Sequence, residues 1–212
     1  MRCTKRVDAG FTMIEMVAVM TIGMIMLAIS VISIVPVLRT ARTDTAASYV
    51  LNEMRHTRER AIDERREYQM TFVTNAASPF ATINIFQGNI TPPPAAPVLV
   101  FTLDNSINLP FDLRFIPPNP TPPAAPDGQL CGQGLAINFT MTGAACGSSP
   151  TLIFNPDGSI TDVAGGFANG VIFMARQGEP RSTRAVSFFG ATGRTKGWRM
   201  VPSGAAWAWS VQ

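Results

Sequence analysis

The chain has 212 residues, with 17 Lys and Arg against 14 Asp and Glu and a formal net charge of +3 at pH 7. That length suits one domain with an appendage, or two small domains, and so small a positive excess does not by itself point to nucleic acid. Of the three cysteines, Cys3, Cys131 and Cys146, the last two have no further Cys or His after residue 56 to complete the four ligands of a zinc site, which speaks against one.

The first element is apolar. From Met16 to Leu38 the sequence carries no charge over 23 residues, which as a helix spans about 35 Å and crosses a hydrocarbon core of about 30 Å. Arg2, Lys5 and Arg6 precede it, so the positive-inside rule keeps the short leader in the cytoplasm and carries the rest across. Pro36 is expected to kink or relax the helix near its outer end. A removable secretory signal cut after Ala28-Ile-Ser30 fits poorly, because the apolar run continues past the small residues. A plain anchor explains more. "TMIE" reads as a capping box, with Thr12 at the N-cap and Glu15 reaching back, and a carboxylate suits the positive end of the helix dipole. Neither account explains the Gly10-Phe11 pair just before it.

"GFTMIE" resembles the processing site of type IV prepilins and pseudopilins, in which a short basic leader ends in Gly before Phe, with Glu five residues after the cut and then a long apolar helix. Met13 and Met16 stand where Leu is usual, which alters neither charge nor size much. The resemblance implies cleavage between Gly10 and Phe11 by a prepilin peptidase at the inner membrane, followed by methylation of the new Phe11 amine. It also implies a use for Glu15. Assembly supplies the carboxylate with the Phe11 amine of an adjacent subunit, and the cost of leaving a charge unpaired favours docking in register.

The stretch from Thr40 to about Tyr68 contains no Pro or Gly. Apolar residues recur at Ala47, Val50, Leu51, Met54, Ala61 and Ile62 with helical period, interrupted by a polar gap at Arg58. It is expected to extend the membrane helix as an amphipathic element whose apolar stripe needs a sheet to pack on. His56, set in "RHTRER", reads as a surface residue.

Eleven of the 17 prolines fall between Pro92 and Pro126; they are expected to form exposed, extended loops around two short strands in "VLVFTLDNSINLPFDLRFI". Cys131 and Cys146 then stand 15 apart across a strand and turn, a spacing that suits a disulfide. "LIFNPDGSI" reads as a strand entering a Pro156-Asp157-Gly158 turn. "GVIFMARQG" and "RAVSFFGATGRTKGWRM" read as further strands.

No enzyme or cofactor is expected. "GATGRTKG" lacks the Gly-Lys-Ser/Thr of a phosphate loop, "CGQGLAIN" lacks the third glycine of a dinucleotide fingerprint, and one histidine leaves no nucleophile with a base. The basic cluster of Arg176, Arg181, Arg184, Arg194, Lys196 and Arg199, with Trp198 inside it, admits two readings. These side chains are either a solvated strand face with Trp198 in the core, or a grip on a phosphate backbone with an aromatic for stacking.

"IFNPDGSI" followed by a strand ending in "GATGRTKGWRM" is similar to the tail of the GspH/FimT family of minor pilins and pseudopilins. That resemblance, over about residues 5–70 and 150–200, implies an α+β fold with a long N-terminal helix packed on antiparallel sheets. The expected organisation is a leader over 1–10, a transmembrane and filament-core helix over 11–38, an amphipathic extension over 39–70 and a periplasmic β domain over 71–212. The implied partners are other pilin or pseudopilin subunits, and the implied place is a type IV pilus-like filament or a type II secretion pseudopilus. Some members of the family bind DNA through the C-terminal segment, which makes Arg194, Lys196, Trp198 and Arg199 the residues expected to carry that activity.

Overall fold

A computed structural model of the chain describes residues 12–73, 82–88, 107–108, 113–128, 131, 133–140, 146–147 and 150–212, leaving aside the side chains of 31–37 and 107–108. Two compact units divide between Arg39 and Thr40. One helix, α1, runs through Met13–Glu64 and contributes to both.

In the first unit α1 continues as helix through Pro36. Thr21 and Ser30 donate their hydroxyls to the carbonyls of Ala18 and Met26, each at 2.9 Å. These polar side chains therefore satisfy themselves on their own helix, as an apolar surrounding requires.

The second unit packs the outer half of α1 against two antiparallel sheets, an α+β arrangement. Thr43, Ala46, Ala47, Val50, Met54, Thr57 and Ala61 form the buried stripe. Leu51 is only half-buried and Ile62 is exposed, so the stripe is narrower than the apolar residues alone indicate. Thr57 fills the polar gap, with its hydroxyl donated to the Glu53 carbonyl at 2.7 Å so that only its methyl side enters the core. His56 is exposed, as expected.

The helix stops at Glu64, short of residue 70. Arg65 turns into the left-handed region with φ 52°, and the Arg66 amide closes back on the Ala61 carbonyl at 3.2 Å, a C-terminal cap made without glycine. The next residues form β1, Tyr68–Val73, in which Tyr68, Met70 and Phe72 are buried and Gln69 and Thr71 half-buried. That alternation is the period of a strand with one face on a core.

The first sheet has the order β3-β2-β1-β7-β8, with β2 Thr82–Gln87, β3 Ile107–Asn108, β7 Thr151–Phe154 and β8 Ile160–Thr161. The second has the order β12-β11-β10-β9-β5-β6, and β4, Leu113–Arg114, also pairs with β9. Its strands are β5 Ile137–Thr140, β6 Cys146–Gly147, β9 Gly170–Arg176, β10 Arg184–Phe189, β11 Arg194–Ser203 and β12 Ala206–Val211. Met70, Phe72, Ile83, Ile85, Leu152 and Phe154 of the first sheet join Ile137, Phe139, Ile172, Met174, Val186 and Phe188 of the second in one core with the helix.

Arg58 ties these parts together. Its Nε donates to the Gly158 carbonyl at 2.8 Å and its Nη2 to the Thr192 carbonyl at 3.2 Å. One helical side chain thus holds the turn after β7 and the turn between β10 and β11. Gly193 has φ +62°, and a Cβ there would run into Arg58 and the Gly158 carbonyl.

The second proline tract is not simply exposed. Pro118, Pro122 and Pro126 are buried, and Gln133 links the tract to the sheet by donating to the Pro122 carbonyl at 2.8 Å while accepting from Trp209 Nε1 at 3.0 Å. Proline rings have no amide to leave unsatisfied, so they can cover a sheet without demanding a ladder. The first tract, 92–97, lies outside the described residues. A disulfide joins Cys131 to Cys146 with Cα atoms 5.5 Å apart.

Candidate functional site

Gly10 and Phe11 lie outside the described residues. Glu15 stands in the first turn of α1. Its amide donates to Thr12 Oγ1 at 3.4 Å, and the Thr12 amide donates to Glu15 Oε2 at 3.4 Å. The reciprocal capping box is present, but both bonds are at the long end of the range. Glu15 and Thr12 are exposed, so the carboxylate keeps most of its acceptor capacity for a cation brought from elsewhere.

Beyond Glu15 the helix is apolar on every side. From Met13 to Ile29 its large apolar side chains are 55–89% exposed, and Met13–Ser30 is long and apolar enough to cross a membrane. Covering each such side chain is worth roughly 1.5–3 kcal/mol, so this surface calls for a bilayer or for other helices.

The basic C-terminal cluster is largely paired inside the fold. Arg184 is the most deeply placed, its side chain 1% exposed. It donates to Asp44 Oδ1 at 2.6 Å and to the carbonyls of Arg181 and Thr183 at 2.8 and 3.0 Å. Asp44 Oδ1 also accepts from Gln212 Nε2 at 2.9 Å. Arg176 pairs with Glu179 at 3.0 Å.

Arg194 and Lys196 both reach Asp127, each at 3.1 Å. Asp127 sits in the Pro126–Gly128 turn with φ 56°, and its side chain is only 14% exposed. Arg194 also lies 4.5 Å from the Phe189 ring centroid, and Lys196 lies 5.7 Å from that of Trp198. Trp198 is half-buried and donates Nε1 to Ser187 Oγ at 2.9 Å. It packs with Trp209 against Val171, Phe173 and Ala185, a second small core on the outer face of the sheet.

Strand parity decides which of the four residues expected to act together can do so. Arg194, Lys196 and Trp198 alternate along one face of β11, while Arg199 belongs to the other face with Thr195 and Gly197. That other face meets the helix, where Arg55 Nε donates to Thr195 Oγ1 at 3.3 Å. The structure therefore brings three of the four together and separates Arg199. Asp127, which neutralises two of them, gives no local sign of that role, since its partners are 67 and 69 residues away.

Residues 5–31 match the prokaryotic N-terminal methylation motif. No curated protein and no solved structure matches the chain. The motif supports a type IV pilin-like or pseudopilin-like protein, processed by prepilin peptidase and assembling with other pilin subunits. Proteins with this motif are structural rather than enzymatic, and the apolar N-terminal helix fits a membrane-anchored pilin.

Proposed function

We propose that this chain is a minor pilin-type subunit of the GspH/FimT kind. A prepilin peptidase cuts it between Gly10 and Phe11, the Phe11 amine is methylated, and the apolar helix leaves the inner membrane for a type IV pilus-like filament or its tip. The C-terminal unit is carried in the periplasm and then on the filament. The observation that carries this reading is the methylation motif over residues 5–31, on a helix whose apolar side chains are left uncovered. Glu15 pairs with the Phe11 amine of a neighbouring subunit, for which its long capping bonds leave it free.

Expression with a prepilin peptidase, followed by mass spectrometry of the N-terminus, tests the processing step. The expected product begins at N-methyl-Phe11. Glu15→Gln is expected to be cut normally and to enter filaments at least about tenfold less, since the unpaired amine is left in an apolar setting. Equal incorporation would overturn the role given to Glu15. Deletion in the source organism, scored for surface pili and for export of secreted enzymes, separates a pilus subunit from a type II secretion pseudopilin. Loss of pili alone supports this reading, and loss of export alone moves the protein to the secretion machine.

DNA binding is an added activity that Asp127 works against, because it already holds Arg194 and Lys196. A titration with double-stranded DNA between about 50 and 200 mM salt tests it. Affinity that falls steeply with salt, and is lost on Arg194→Ala with Lys196→Ala, would establish it.

A further inference from the structure

We propose that the free edge of β12 is a strand-addition site, taking an extended, uncharged strand from a different subunit rooted in the same membrane. The inference rests on the reading of the chain as an anchored subunit. It begins with the ladder. The Gln212 amide donates to the Gly197 carbonyl at 3.1 Å, and the register pairs Trp198 with Val211 through to Ser203 with Ala206. Hydrogen-bonded pairs alternate in an antiparallel ladder, so the main-chain groups of Ala206, Ala208 and Ser210 face β11. Those of Trp207, Trp209 and Val211 face away. The Met200 amide, which donates to Thr183 on the far side of β11, fixes the same alternation independently. Among the described residues no strand lies beyond β12 and nothing bonds to these three amides and three carbonyls.

Among the described residues, β12 is the longest of the strands that end the two sheets. As described, β3, β8 and β6 are two residues each, whereas β12 has six. Proteins guard a long edge with charge, proline or a bulge. "AWAWSV" has no charge and no proline, and its register with β11 has no bulge. The side chains form a shelf beside the open ladder. Trp209 is fixed by Gln133 and by Phe173, whose ring centroid is 5.7 Å away, and Val211 is 60% exposed. On the other face Ala206, Ala208 and Ser210 leave room for larger side chains of an incoming strand.

Size and direction choose the occupant. A six-residue edge covers well under the roughly 800 Å² per partner of a stable complex, so it needs the raised local concentration of a shared membrane. A second copy does not fit. Leu51 lies by Gly197 and Arg55 by Thr195, so α1 advances as β11 recedes and β12 runs along with α1. A closed two-fold pair of β12 strands is antiparallel and would put the two Thr40 ends, from which each chain continues towards its anchor, at opposite ends of the pair.

Hydrogen exchange on the full chain reads the edge directly, comparing native membranes with the purified chain in detergent. The amides of Trp207, Trp209 and Val211 are expected to exchange freely in detergent and to slow at least about tenfold in membranes. Val211→Pro removes one outward donor without touching the β11 ladder, and Val211→Lys adds a guarding charge should the proline variant not fold. Either is expected to abolish the membrane protection, while Ile62→Lys on the helix leaves it intact. Free exchange in native membranes overturns the proposal, whether or not Phe11 is methylated. Protection in detergent that rises with chain concentration overturns it in favour of a second copy. Protection in membranes without methylation keeps the edge site and removes the pilin reading instead.

Discussion

Arg58 is the residue on which the packing of the second unit most depends, since its guanidinium serves two turns from different sheets. Charge-assisted hydrogen bonds of this kind contribute about 1.5–3 kcal/mol. Arg58→Ala is expected to lower stability by about that much in urea unfolding of the full chain in detergent. Arg58→Lys, which cannot fork to both carbonyls, should recover only part of the loss. Tyr68 offers a second residue-scale test. Its burial, then the hydrogen bond to Glu64 at 2.6 Å and the charge of that carboxylate, push the phenol from its ordinary 10 up to about 12. The folded chain therefore keeps a proton that the unfolded chain loses above pH 10. The stabilisation is fully present below pH 10 and is lost as pH rises through about 12. Tyr68→Phe should remove that alkaline slope from the pH dependence of unfolding. At this scale the sequence is legible only where the partners are near. Thr12 and Glu15 are three apart, and their cap could be read from spacing. Arg194, Lys196 and Asp127 meet only because the proline tract folds over the sheet, and no local pattern records that.

At the scale of elements, α1 shows why a pattern can be read and its boundary missed. The apolar period from Ala47 to Ala61 is strong, and the structure buries Ala47, Val50, Met54 and Ala61. The end is marked by Arg65 in a left-handed conformation rather than by Gly or Pro, so a helix expected to reach residue 70 takes in the first three residues of "YQMTFV" although that stretch carries a period of two. Met54→Ala, at a fully buried position of the stripe, is expected to cost about 2–5 kcal/mol in the same unfolding measurement. The disulfide closes the loop from Cys131 to Cys146, which contains β5 and ends in β6. With a separation of 15 residues, the chain-entropy account gives it about 3 kcal/mol, so the Cys131→Ser, Cys146→Ser double variant should unfold at correspondingly lower urea. An unchanged midpoint would show that the proline cover, anchored through Gln133, already restrains that loop.

For the whole molecule, the division between Arg39 and Thr40 separates two kinds of surface. One unit leaves its apolar side chains uncovered, while the other buries them in a core shared by α1 and two sheets. The first unit needs company and the second does not. The fold class was accessible from the sequence because a charge-free run, a helix-period stretch and several strand-period stretches follow one another in order. The pairing of the twelve described strands into two sheets was not, since it joins strands as far apart in sequence as β1 with β7 and β5 with β9, which no local pattern records. Removing residues 11–38 is expected to give a chain that stays in solution without detergent and unfolds in one cooperative transition by circular dichroism. Aggregation of that fragment would mean that the second unit relies on the first for its stability.

The contacts between α1 and the sheets also have a mechanical reading. Asp44, Arg55 and Arg58 grip Arg184, Thr195, Gly158 and Thr192 at successive points along the helix. A pull along the axis of the 40–64 part of α1 has to slide the helix lengthwise past its sheets, so these bonds are strained in shear and together. A pull directed away from the sheets would open them one after another, like a zip. The second unit is thus stiffest against tension along the axis of its own helical segment, and a sideways tug should detach the helix at far lower force.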